Sequence, residues 1–147
     1  MNNFSKNHKL SFILKATTIA TSSTGVDCQV VDMSGFNSAY FGCIVASCTG
    51  TDVAQRLFIK GSTASGGTYE ALSGATVTQT TGTNDGLISV ELDRPTFRYL
   101  KAVWASSTTT SQRGGVFCIQ SNAKEVPVTQ PTSSYVATLV RVVNAAT

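Results

Sequence analysis

The sequence is poor in charge. Lysine, arginine, aspartate and glutamate make up 13% of its 147 residues, about half the share of an ordinary globular chain. Eleven cations against eight anions leave a formal net charge of +3. The basic residues are scattered, apart from Lys6, His8, Lys9 and Lys15 near the N-terminus. Nucleic-acid binders carry a clustered basic stripe, so no nucleic-acid partner is expected. Histidine is nearly absent: His8 is the only one. Serine- or cysteine-based catalysis needs a general base beside its nucleophile, and a lone histidine in a polar terminal segment nearly removes that chemistry. None of Cys28, Cys43, Cys48 and Cys118 forms a Cys-x-x-Cys pair, which argues against a structural zinc site. No apolar run approaches the roughly twenty residues of a membrane-spanning helix, so no membrane partner is expected. The run Leu10-Ser11-Phe12-Ile13-Leu14 is shorter than the seven to fifteen residues or so of a secretory signal's apolar segment.

What the chain has instead is hydroxyl. Seventeen serines and twenty-one threonines replace the missing charges. Threonine favours strands and serine favours turns. A low-charge surface of this kind meets other proteins cheaply, because few charges lose water there. Cys43 and Cys118 lie in apolar runs and read as small buried hydrophobes. Free thiols fit folding in a reducing cytoplasm.

The stretch Asp93–Trp104, DRPTFRYLKAVW, organises the rest. Pro95 cannot donate to a sheet ladder and belongs at a strand entrance. After it the side chains alternate: Phe97, Tyr99, Lys101 and Val103 to one face, Arg98, Leu100, Ala102 and Trp104 to the other. The preceding GLISVEL alternates too, so the two read as the central pair of a sheet. Residues 39–48 are nearly all apolar and read as a strand covered on both faces. Residues 53–60 read as a strand, with a helix capped by Asp52 and ended by Gly61 as the competing reading; the glycine-serine loop 61–68 follows. Residues 105–113, ASSTTTSQR, read as a polar connection. Pro127 and Pro131 hold the next segment out of regular sheet, and residues 134–143 again alternate.

These patterns predict an all-β fold: an antiparallel β-sandwich, jelly-roll-like, of seven to nine short strands. The expected core is Phe41, Ile44, Leu57, Ile59, Val90, Leu92, Leu100, Val103, Trp104, Phe117 and Ile119. The sandwich proper spans 16–126. Residues 1–15 form an N-terminal arm and 127–147 a C-terminal arm or strand. Candidate interface residues on these arms are Phe4, Leu10, Phe12 and Ile13 at one end, and Tyr135, Leu139, Arg141 and Val143 at the other. An unpaired strand such as 134–143 needs a partner for its backbone groups. Catalytic residues, metal ligands and cofactors are expected to be absent. The best carboxylate pair, Glu91 and Asp93, reads as a solvated strand end.

Three segments together resemble a group of small phage virion proteins of the head decoration or capsid cement type. They are TTIATSSTGVDCQVVDMSGFNSAYFGCIV (17–45), RLFIKGSTASGGTYEAL (56–72) and DGLISVELDRPTFRYLKAVW (85–104). The chain departs from that pattern at Ser65, where an aspartate would precede the loop glycine. The resemblance implies a non-enzymatic protein made in the host cytoplasm and carried on the capsid surface of the virion. Its partner would be the major capsid protein, and it would form a homo-oligomer, a dimer or trimer. RYLKAVW is also similar to the closing strands of discoidin-like carbohydrate-binding sandwiches, which gives the alternative function. A phage tail or fibre component is a further option.

Overall fold

A computed structural model describes residues 4–15, 17–49, 54–80, 86–126 and 128–129. Apart from one helical turn, Phe4–Asn7, every regular element among them is a strand. They are β1 (Lys9–Leu14), β2 (Thr17–Asp27), β3 (Val31–Asp32), β4 (Phe36–Thr49), β5 (Ala54–Ser62), β6 (Glu70–Thr80), β7 (Gly86–Asp93) and β8 (Tyr99–Ala123). All pairings are antiparallel. The expected all-β sandwich is present.

β8 is the spine. Its first part, Tyr99–Ser106, pairs with β5 on one side and with β3 and the end of β2 on the other. Its second part pairs with β4 on one side and with β1 and the start of β2 on the other. One layer is therefore β6, β5, early β8 and β3; the facing layer is β7, β4, late β8 and β1. Hydrogen bonding is continuous because β8 and β2 run through both layers.

Alternation fills the space between them. The first layer turns Leu57, Ile59, Leu100, Ala102 and Trp104 inward, and the second turns in Ala39, Phe41, Cys43, Val116 and Cys118; all are fully enclosed. Each leucine, isoleucine, valine or phenylalanine among them contributes roughly 1.5–3 kcal/mol on burial. Gln120, also enclosed, bonds across the sandwich. Its Nε2 donates to the Asp32 carbonyl at 2.7 Å, so the second layer is tied to β3 of the first. Cys28, Cys43 and Cys118 are buried free thiols. Burial pushes the Cys118 thiol far above its ordinary range, which keeps it unreactive.

Four expectations need correction. GLISVEL and RYLKAVW are not paired: β7 is an edge strand on β4, and β8 is central to both layers. The Ser/Thr run 105–113 is strand rather than connection, because β2 and β4 take its backbone groups from both sides. Residues 1–15 are not a free arm throughout, since Lys9–Leu14 pairs with Gln120–Val116. A bulge between Phe12 and Leu14 turns Ile13 into the core at 3% exposure, which removes Ile13 as a candidate interface residue. Finally, Ile44 is 47% exposed. Both faces of β4 are apolar, and only the odd-numbered face is roofed by the other layer. Val90, Leu92, Phe117 and Ile119 are half-buried rather than enclosed. The C-terminal segment from residue 130 lies outside the described residues.

Candidate functional site

The sandwich has two outer faces of different chemistry. The first belongs to the β1–β8–β4–β7 layer. Register places side chains in rows across it. Leu10 lies opposite Ile119, Ile119 opposite Tyr40, and Tyr40 opposite Glu91. The next row is Phe12, Phe117, Gly42 and Ser89, and the third is Gly115, Ile44 and Leu87. Leu87 and Ile44 are cross-strand partners at 55% and 47% exposure. Leu10, Phe12, Tyr40, Ser89, Phe117 and Ile119 are half-buried, and Glu91 is exposed.

Two glycines make room for the rings. A Cβ at Gly42 would run into the Phe117 ring, and one at Gly115 into the Phe12 ring. Phe117 thus lies flat over β4, with Tyr40 beside it at 6.2 Å between ring centroids. The result is an apolar strip crossing four strands, with Glu91 at its margin.

The second face belongs to the β6–β5–β8–β3 layer. Alternate residues of β5 point outward here: Arg56, Phe58 and Lys60. From β8 come Tyr99 and Lys101, and Lys60 lies opposite Lys101 in the register. Each cation stands by a ring. Arg56 is 4.8 Å from the Phe58 centroid, Lys101 is 4.4 Å from that of Tyr69, and Arg98 is 5.0 Å from that of Tyr99. Two carboxylates join them. Asp27 takes Lys101 at 3.1 Å, and Asp32 takes Arg98 through two bonds of 2.9 Å.

The Arg98 hydrogen bonds hold the Asp32 carboxyl below the usual carboxylate range; the Ser34 amide adds to this and slight burial works against it. A depressed folded-state pKa contributes stability that is present above the unfolded value, about 3.9 for aspartate, and lost as pH falls through the folded value. Asp32→Asn should therefore lower the thermal midpoint modestly at neutral pH. Its side chain is 42% exposed, so solvent screens the pair. The gap to wild type should close as pH falls below the folded value of Asp32. A gap that persists there would show that the ion pair is not its cause.

The sequence-derived candidates divide. Leu10 and Phe12 fall on the apolar strip. Phe4 sits on the helical turn, 49% exposed and stacked on His8 at 4.6 Å, beside the point where Val128 N–H donates to the Lys6 carbonyl. Ile13 is in the core. Tyr135, Leu139, Arg141 and Val143 lie outside the described residues. Sequence reading missed Tyr40, Ile44, Leu87, Phe117 and Ile119 as one surface. Glycines inside the apolar strands, at 42 and 115, were the available signal. It also missed the gathering of Arg56, Lys60, Arg98 and Lys101.

Chemistry of other kinds has little to stand on among the described residues. No group of three or more His, Cys, Asp or Glu side chains is placed to hold a metal. A hollow of about 430 Å³ between the Ser34–Phe36 turn and Lys124–Thr129 has one carboxylate, Glu125, on its wall. Glu91 is solvent-exposed; Asp93 accepts from Ser38 Oγ at 3.4 Å and pairs with Arg94. The lone tryptophan is fully enclosed and offers no stacking platform to a sugar. No helix among the described residues is long and apolar enough to cross a membrane.

No family model matches this chain, and no curated protein matches it. Among solved structures it is similar to a protein of Bacillus endospore appendages, described as a novel family of disulfide-linked pili. That likeness has a TM-score of 0.38 and 18% identity, over 82% of this chain and 90% of the other. It is also similar to VP2 of the infectious bursal disease virus subviral particle, with a TM-score of 0.41 and 13% identity, over 77% of this chain and 32% of VP2.

Proposed function

We propose that this chain is a structural, non-catalytic component of a virion: a capsid cement or decoration protein on the outer surface of a phage head. It stabilises the shell through protein–protein contacts and self-associates as a dimer or trimer, with the major capsid protein as its further partner. One observation carries this reading, the apolar strip of Leu10, Phe12, Tyr40, Phe117, Ile119, Ile44 and Leu87. Contiguous apolar surface of this kind marks a protein contact. Homo-oligomer interfaces are the more apolar class, so its occupant is a second copy.

The test is mass in solution. Ile44→Lys with Leu87→Lys places two ammonium groups at the most exposed points of the strip. Burying unpaired charge costs several kcal/mol, so association should weaken by roughly 100-fold or more. Sedimentation equilibrium should give an oligomer for the wild type and a monomer for the variant. Both side chains are solvent-exposed, so the thermal midpoint of the monomer should fall only slightly, by the repulsion of two lysines facing each other across β4 and β7. A wild-type monomer, or a variant of unchanged mass, would overturn the assignment of the strip to self-association.

A further inference from the structure

The opposite face has a different character, and its charges are not all spent. Asp27 and Asp32 answer Lys101 and Arg98. Arg56 and Lys60 have no carboxylate at ion-pair distance among the described residues. They lie on one face of β5, about 13 Å apart at roughly 3.3 Å per residue. Lys60 also stands directly across from Lys101, and like charges so placed destabilise a sheet. The fold retains this cost at a position where threonine would serve a solvent-facing strand better. Local compensation is partial: among the described residues, Lys60 Nζ has the Phe58 ring, at 5.6 Å.

The rings decide what kind of anion fits. Single-stranded nucleic acid binds by stacking bases on free aromatic faces. Here Phe58, Tyr69 and Tyr99 each already have a cation within about 5 Å of the ring centroid. They act as supports that hold cations in place. A guanidinium held this way presents its remaining N–H donors as a fork matched to carboxylate.

We propose that the face formed by Arg56, Lys60, Arg98 and Lys101 is a docking surface for a carboxylate-rich protein surface. The cation set recognises the partner by charge, and β5 sets the spacing of the two cations that remain, Arg56 and Lys60. The proposal rests on the assembly reading only for the partner's identity, which would then be the acidic exterior of the shell. The apolar strip binds like to like, and this face, on the other side of the sandwich, is free to meet something else. Charged faces give orientation and fast encounter more than raw affinity, which suits a protein that must settle on a preformed surface.

The experiment uses the full chain and three probes at low salt: labelled poly-glutamate, labelled oligo-dT and labelled poly-lysine. Fluorescence anisotropy should show poly-glutamate binding that disappears as salt is raised. Arg56→Gln with Lys60→Gln should weaken it by about tenfold or more, as expected when uncompensated cations at a charge-steered surface are removed. A charge-matched control, Lys6→Gln with Lys124→Gln, should retain most of it. Oligo-dT should bind more weakly than poly-glutamate, and poly-lysine not at all. No poly-glutamate binding, or equal loss in the control pair, would overturn the proposal, and tighter binding of oligo-dT would replace it with a nucleic-acid surface. Sedimentation of the same variants keeps the two readings apart: Arg56→Gln with Lys60→Gln should leave the oligomer intact, whatever the probes report.

Discussion

Replacing Trp104 with alanine is expected to destabilise the fold by roughly 3–5 kcal/mol. The ring is fully enclosed. It stands between Leu57 of β5 and Val26 of β2 in the register, on the central strand of its layer. Its Nε1 donates to Gln55 Oε1 at 3.3 Å, and Gln55 is itself 2% exposed. Truncation removes the largest buried side chain and leaves a cavity that strands on both sides resist filling. It also takes a partner from a buried amide, which adds to the cost. For a chain of this size the melting midpoint should fall by roughly 10–15 °C. Trp104→Phe separates the terms, since it keeps most of the volume and loses the hydrogen bond; a cost of about 1–2 kcal/mol is expected. A loss under about 1 kcal/mol for the alanine variant would mean the ring is not enclosed.

Gly115→Ala is the second large effect, and it reaches the apolar strip directly. Gly115 has φ +108, a conformation that side chains of the L series resist. It also lies between two irregularities, the β1 bulge at Phe12–Leu14 and the β4 register shift at Ile44–Val45. A Cβ there would meet the Phe12 ring and come within 2.8 Å of the Leu14 carbonyl oxygen. The backbone oxygen cannot step aside without unpairing β1. Strain and displacement together should cost on the order of 3 kcal/mol. Because Phe12 is the side chain displaced, self-association should weaken as well as stability. Urea unfolding and sedimentation on the same sample check both. Full stability in the alanine variant would show that β1 is not held against β8 in this way.

Much of the fold was legible because strand alternation is a local property. Leu100, Ala102 and Trp104 share a face in the sequence pattern and share the core in the structure. The low charge and the density of β-branched residues left little room for a helix. Where both faces of a strand are apolar, the pattern falls silent. Nothing in Ala39–Val45 says that Phe41 is enclosed and Ile44 exposed, since that depends on which side the other layer covers. The Ser/Thr run 105–113 looks like a loop for the same reason. Its strand state comes from β2 and β4 supplying backbone partners from distant parts of the chain.

The candidate surfaces divide along the same line. Leu10 and Phe12 stood out in the sequence as hydrophobes among polar neighbours. Their companions Phe117, Ile119, Tyr40, Ile44 and Leu87 come from three other strands and meet only through register. Arg56 and Lys60 alternate around Phe58 in plain view, but Lys101 joins them from far along the chain by the β5–β8 pairing. By itself the sequence determined the strand content, the inward-facing set of β5 and early β8, and the scarcity of charge that favours protein contact. The tertiary structure alone decided which strand is central, which is at an edge, which apolar face stays outside, and that the cations stand together. The first group follows from the period-two geometry of a single strand; the second follows from pairings between segments far apart in the chain, which no local pattern encodes.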